Sequence, residues 1–234
     1  NFANEMASLF VTADGEPPFV DEAVLEGLGP ATRIPLTFGL LFLDYDLDGR
    51  LDLLLANGHL ENEIHKVQQS QTYAQPPALF WNCGEACRRR FLAVRDAGDM
   101  NRPLVGRGIA YADIDGDGDL DVLITQNGRR PALLRNDQET DNHWLRVKLT
   151  GMPPNTSAIG ARLELTAEGV TRFREVMPSR GYMSQVERTV TFGLGTANRV
   201  ERLRIVWPDG SEQTLTPGEV DTTLVVAQPA STAP

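Results

Sequence analysis

Two stretches of nine residues carry the chemistry of this chain: Asp44-Tyr-Asp-Leu-Asp-Gly-Arg-Leu-Asp52 and Asp113-Ile-Asp-Gly-Asp-Gly-Asp-Leu-Asp121. Both read D-x-D-x-D-G-x-x-D. A hard cation takes about six to eight oxygens, and alternate residues of a tightly curled loop can supply them. The expected ligands are the side chains of Asp44, Asp46, Asp48 and Asp52 with the Arg50 carbonyl, then Asp113, Asp115, Asp117 and Asp121 with the Asp119 carbonyl. Glycine at position 6 permits the sharp turn that directs the position-7 carbonyl inward. Carboxylates crowded so closely repel one another unless a cation lies between them. With no soft ligand nearby, the all-oxygen set favours calcium, with magnesium or manganese behind it, over zinc or copper. The expectation is two calcium ions, one per loop.

The elements around the loops are not those of an EF-hand, which needs a bidentate Glu at position 12 and a helix on each side. Position 12 is Leu55 in one loop and Ile124 in the other. Thr37–Leu43 and Leu53–Ala56 flank the first loop, Gly108–Ala112 and Val122–Thr125 the second. These short apolar runs read as strands buried on both faces.

The loops start at 44 and 113, 69 residues apart. A second element repeats with them: Ser8-Leu-Phe-Val followed by Phe19, and Ala78-Leu-Phe-Trp followed by Phe91, with a partial copy at Ala132-Leu-Leu-Arg-Asn136. The unit is therefore strand, acidic loop, strand and a hairpin, and recurrence at this size marks stacked blades or solenoid turns. Projected backwards, the phase places another acidic loop ahead of residue 1. Missing N-terminal blades, or another subunit, are expected to cover the first half-blade. Residues 58–76 form an insertion that the second unit lacks, read either as a contact surface or as a tolerated loop.

From about residue 142 the pattern changes to alternation, as in Trp144–Thr150, Ala161–Thr166 and Arg172–Met177, which suggests antiparallel strands with one buried face. Val200–Trp207 and Glu212–Leu215, joined by Pro208-Asp-Gly210, read as a hairpin. The expected organisation is a repeat region at 1–140, a small β domain at 141–228 and a tail at 229–234. The fold class is all-β: partial propeller blades followed by a small antiparallel sandwich-like domain. Calcium is expected to stabilise the repeat region more than residues 142–226.

The chain has 234 residues and a formal net charge of −10, and nine of its 32 acidic residues lie in the two loops. Two calcium ions would bring the charge to about −6, and nothing basic or extended invites nucleic acid. No run approaches the roughly 18 apolar residues of a membrane span, and the first residues do not read as a signal peptide. Cys83 and Cys87 form either a small loop-stapling disulfide or two free thiols, the disulfide agreeing with calcium-rich surroundings outside the cytoplasm. Asn155-Thr-Ser157 is a lone glycosylation sequon, read as a chance match.

The two loops, with Gly39-Leu-Leu-Phe-Leu-Asp44 and Leu51–His59, resemble FG-GAP/VCBS repeats of calcium-binding β-propellers. Asn142–Val147, Ile159-Gly-Ala-Arg162, Arg180-Gly-Tyr-Met-Ser-Gln185, Phe192-Gly-Leu-Gly195 and Val206-Trp-Pro-Asp-Gly210 resemble the ASPIC/UnbV domain. The combination resembles the C-terminal part of a bacterial member of the cartilage acidic protein family. That resemblance implies a secreted or surface protein whose propeller binds calcium. The missing upstream blades and the cysteine pair depart from the pattern.

No catalytic residues are expected. His59 reads as a turn residue, His143 as a packing or turn residue and His65 as solvated, and none lies in a nucleophile-elbow or zinc-protease motif. Arg180–Gln185 reads as a tight turn, with a polar recognition loop as the other reading. The chain is thus expected to be a non-enzymatic, calcium-stabilised extracellular, cell-surface or periplasmic module for protein or glycan contact. The reading from another class is the C-terminal portion of a secreted enzyme whose active site lies elsewhere.

Overall fold

The computed structural model describes residues 1–12 and 15–230, and the described chain is all-β. A short hairpin, Phe10–Val11 (β1) and Val20–Asp21 (β2), precedes a one-turn helix at Gly29–Thr32 (α1). Thr37–Leu43 (β3), Asp52–Asn57 (β4), Ala78–Asn82 (β5) and Phe91–Ala93 (β6) form a four-stranded antiparallel meander; one turn of helix, Ile64–Val67 (α2), lies in the β4–β5 connection. Gly106–Ala112 (β7), Asp121–Gln126 (β8) and Arg129–Leu134 (β9) form a second meander of three strands. Both acidic loops connect the first two strands of a meander, as the flanking apolar runs require.

All six residues of β4 are buried. Leu53 and Leu55 pack with Ala23, Leu28 and Phe80 on one side; Leu54 and Ala56 pack with Leu41, Ile109 and Ile124 on the other. A strand between two packed faces needs apolar residues at every position, so it reads as a continuous run rather than an alternation.

The C-terminal part holds two facing sheets. One has the order Val190–Gly195 (β13), His143–Thr150 (β10), Thr222–Ala227 (β16); the other has Val170–Glu175 (β12), Arg162–Ala167 (β11), Arg202–Val206 (β14), Glu212–Leu215 (β15). Their inner faces bury Leu145, Leu163, Phe192, Ile205 and Trp207 among others. The β14–β15 hairpin forms at the Pro208–Gly210 turn as expected. Within this antiparallel sandwich one pairing differs, because β16 runs parallel to β10, with Leu145 opposite Thr222. Alternation reports which face of a strand is buried and carries nothing about a neighbour's direction, which the long connections decide.

Among the described residues every member of the sandwich core follows residue 144, and of those beyond it only Val186 joins the core of the meanders. Val186 belongs to the connection between β12 and β13, which leaves the sandwich and lies along β3 and β7. Ile109 N–H donates to Ser184 Oγ at 3.0 Å, and Tyr182 meets the Phe38 ring edge-on at 5.1 Å. Gly181 and Met183 both hold positive φ here, so Arg180–Gln185 is a tight turn, and it also fastens the two parts together.

Candidate metal centres

In each loop three carboxylates converge. Ligand atoms of Asp44, Asp46 and Asp48 all lie within 4.8 Å of one another, and those of Asp113, Asp115 and Asp117 do likewise. Asp44 Oδ2 accepts Gly49 N–H at 3.0 Å, and Asp113 Oδ2 accepts Gly118 N–H at 3.2 Å. Gly49 (φ 93°) and Gly118 (φ 100°) hold the left-handed backbone that turns each loop towards its position-7 residue, Arg50 or Asp119.

The position-9 residues act differently from the other three. Asp52 accepts N–H from Tyr45 at 3.0 Å and from Asn82 at 2.7 Å; Asp121 accepts N–H from Ile114 and Asn136, each at 2.9 Å. One carboxylate thus closes its own loop and ties it to the last residue of the third strand in the first meander and to the segment just after it in the second. Its remaining lone pairs are what it can offer a cation. Asn82 and Asn136, which close the repeated Leu-Phe and Leu-Leu elements, occupy matching places in this tie.

These carboxylates are held out of water without enough positive charge. Burial pushes Asp44 up to about 7, Arg174 opposing and the neighbouring Asp48 and Asp46 adding to the rise. Burial pushes Asp52 up to about 8 against its two backbone donors, and raises Asp46 and Asp117. Asp119 is driven to about 8 by burial and then by Asp117 and Asp121. Asp44 Oδ1 is buried and has no hydrogen-bond partner. An orphaned buried carboxylate oxygen facing two further carboxylates fits a hard divalent cation, whose charge would remove both penalties.

The spacing of acidic residues carries no hint of what covers these loops. The sandwich lies directly on them. Arg146 of β10 is buried and reaches Asp113 at 2.8 Å, Glu187 at 2.5 Å and Thr191 Oγ1 at 3.3 Å. Arg174 of β12 stands 3.9 Å from Asp44 and 5.6 Å from the Phe192 ring centroid. Gly195 N–H donates to Leu47 O at 2.9 Å, and a Cβ on Gly193 would fall 2.3 Å from Asp44 Oδ2. A Cβ on Gly118 would fall 2.0 Å from the Trp144 ring. The linker is stitched to the first loop as well: Gln138 and Asn142 amides donate to Tyr45 O at 2.6 Å and Asp46 O at 2.8 Å. Along β10 Arg146 alternates with the core residues Leu145 and Val147, so the strand pattern assigns it to the solvent side and gave no signal of this interface.

His59 Nδ1 accepts Glu61 N–H at 3.0 Å in a turn, His65 is exposed, and His143 Nδ1 lies 2.7 Å from Asp221 Oδ2. The 58–76 insertion returns onto the N-terminal segment, where buried Gln71 and Gln75 bond to Ile34 O and Leu36 N–H. Cys83 and Cys87 form a disulfide in the β5–β6 hairpin loop, with Cα atoms 6.0 Å apart. Asn155 bonds both backbone groups of Ile159 within its own turn.

An all-β chain with two acidic turns beneath a sandwich defines the class, and comparison with known proteins narrows it. Residues 151–233 match the family model described as ASPIC and UnbV, so the C-terminal unit is an ASPIC and UnbV domain. The chain is similar to cartilage acidic protein 1 of Homo sapiens, 30% identical over 269 residues that cover 92% of this chain and 39% of that protein. It is 28% identical to cartilage acidic protein 1 of Xenopus tropicalis, covering 80% of this chain and 28% of that one. It is also 31% identical to the T-cell immunomodulatory protein of Homo sapiens over 60% of this chain and 22% of that protein. The chain therefore spans well under half the length of these relatives. Among the described residues no helix is long and apolar enough to cross a membrane.

Proposed function

We propose that this chain is a non-enzymatic, calcium-stabilised contact module that works outside the cytoplasm and binds protein or glycan partners. The observation that carries the reading is the pair of matching carboxylate triads, one of them holding the buried orphan Asp44 Oδ1. Calcium in these loops draws together three carboxylates that otherwise repel, and fixes the surface on which the sandwich sits. Extracellular modules bind calcium with dissociation constants of about 10⁻⁴–10⁻³ M. At ten times that concentration each occupied site adds about 1.4 kcal/mol of stability.

The two meanders are read as blades of a larger propeller. Leu41, Leu54 and Leu79 cross the first blade and are buried against the second. Their equivalents in the second blade are Ala110, Leu123 and Leu133, and there Leu123 is 40% and Leu133 59% exposed, against 0% for Leu54 and 6% for Leu79. A further blade of the same kind is the natural cover for such a face.

Calorimetry on chelator-stripped protein tests the proposal. Two calcium sites are expected, and Asp48→Ala should remove one of them. Fewer than two sites in the parent protein would overturn it.

A further inference from the structure

The second acidic loop, the linker and the start of the sandwich meet around an open cleft of about 530 Å³. Asp117 and Asp119 come from the loop, Asp141 from the linker, and His143, Trp144 and Asp221 from the sandwich. This volume far exceeds that of a single ion, since one water occupies about 30 Å³.

Most polar groups in the walls are already committed. Asp221 accepts from Trp144 N–H at 3.1 Å and meets His143 Nδ1 at 2.7 Å. The side-chain amides of Gln138 and Asn142 donate away from the cleft, to Tyr45 O and Asp46 O. Asp117 belongs to the metal triad. The Asp119 carboxylate is outside that triad, and it is 6% exposed with an Oδ1 that has no hydrogen-bond partner. A buried carboxylate oxygen without a donor is costly, so Asp119 Oδ1 favours a ligand that brings one.

We propose that the cleft receives the cationic side chain of a protein partner, an arginine in preference to a lysine. A guanidinium carries donors only, arranged in a planar fork that fits a carboxylate through two bonds. Asp119 and Asp141 supply the acceptors, and Trp144 supplies an aromatic ring for the cation, its own position held by contact with Gly118. A neutral sugar hydroxyl brings one donor and no charge, and so answers a pair of carboxylates less well than a guanidinium. The net charge of −10 draws a basic partner to the same surface. The inference rests on the contact-module reading and names the chemistry of the partner.

The test uses the calcium-saturated full chain and the peptide acetyl-Gly-Arg-Gly-amide, with its citrulline counterpart as the uncharged control. The Trp144 indole signal, assigned through Trp144→Phe, is followed by NMR. A saturable shift is expected with the arginine peptide and none with citrulline. Asp119→Asn should weaken binding at least tenfold, and Asp141→Asn, outside the acidic loop, at least threefold. Calorimetric calcium binding by each variant is measured alongside. No saturable shift, equal response to citrulline, or undiminished binding by both variants overturns the proposal. Those outcomes with two calcium sites intact leave the calcium reading standing, whereas arginine binding without calcium sites would remove the calcium reading alone.

Discussion

Arg146→Met should destabilise the protein more without calcium than with it, and should tighten calcium binding at the second loop. Arg146 stands between two carboxylates, its side chain 11% exposed against 0% for Asp113 and 17% for Glu187. Removing one partner from a buried ion pair leaves uncompensated charge and costs about 3–5 kcal/mol. Methionine retains most of the packing volume, so the loss reports charge rather than a cavity. In a calcium-free protein Asp113 then has no cation, and the whole penalty applies. With calcium in the loop Asp113 keeps a positive neighbour, and the residual loss comes mainly from Glu187. A difference of about 1.4 kcal/mol between the two conditions corresponds, by reciprocity, to roughly tenfold tighter calcium binding in the variant. Urea unfolding in excess calcium and in chelator measures the first quantity, and calorimetry measures the second. Equal destabilisation in both conditions with unchanged calcium affinity would refute the idea that Arg146 and the ion share Asp113.

Burial raises Asp44 to about 7 and Asp52 to about 8 from the ordinary 3.8. Calcium-free protein should therefore lose stability as pH rises from about 4 to about 8, because the unfolded chain ionises first, and then level off. Excess calcium should reverse that slope, since protons compete with the ion; calcium-free melting temperatures that rise across the window would count against it. Gly118→Ala forces a side chain into positive-φ backbone, about 1–2 kcal/mol, and against the Trp144 ring. Gly98→Ala, at φ 56° with nothing within 4 Å, should carry the backbone cost alone, so similar thermal shifts for the two would deny the packing contact. The uncovered Leu123 and Leu133 should make the chain self-associate, and Leu123→Lys with Leu133→Lys should abolish this by light scattering. A monodisperse parent monomer would contradict the open-face reading.

The acidic loops, their flanking strands and the change of character near residue 142 were legible in the linear sequence because each depends on local spacing. Positions 1, 3 and 5 of a tight loop converge whatever surrounds it, as Asp44, Asp46 and Asp48 do. An unbroken apolar run such as Leu53–Ala56 has few homes other than a strand packed on both faces. Tertiary structure decided everything that depends on contacts distant in sequence. It set β16 parallel to β10, because strand alternation specifies a face and not a direction. It gave Asp52 and Asp121 the task of tying each loop to an asparagine 30 and 15 residues downstream. Most of all, it laid the sandwich over both loops through Arg146, Arg174 and Trp144. The separate domains anticipated from the change of pattern near residue 142 therefore meet at the acidic centres themselves. Calcium is accordingly expected to stabilise the docking of residues 142–226 as well as the repeat region. A charge meets its partner only once the chain has closed on itself, so the sequence carried the carboxylates of these centres in plain view, while the arginines that complete them remained indistinguishable from solvent-facing residues of two ordinary strands.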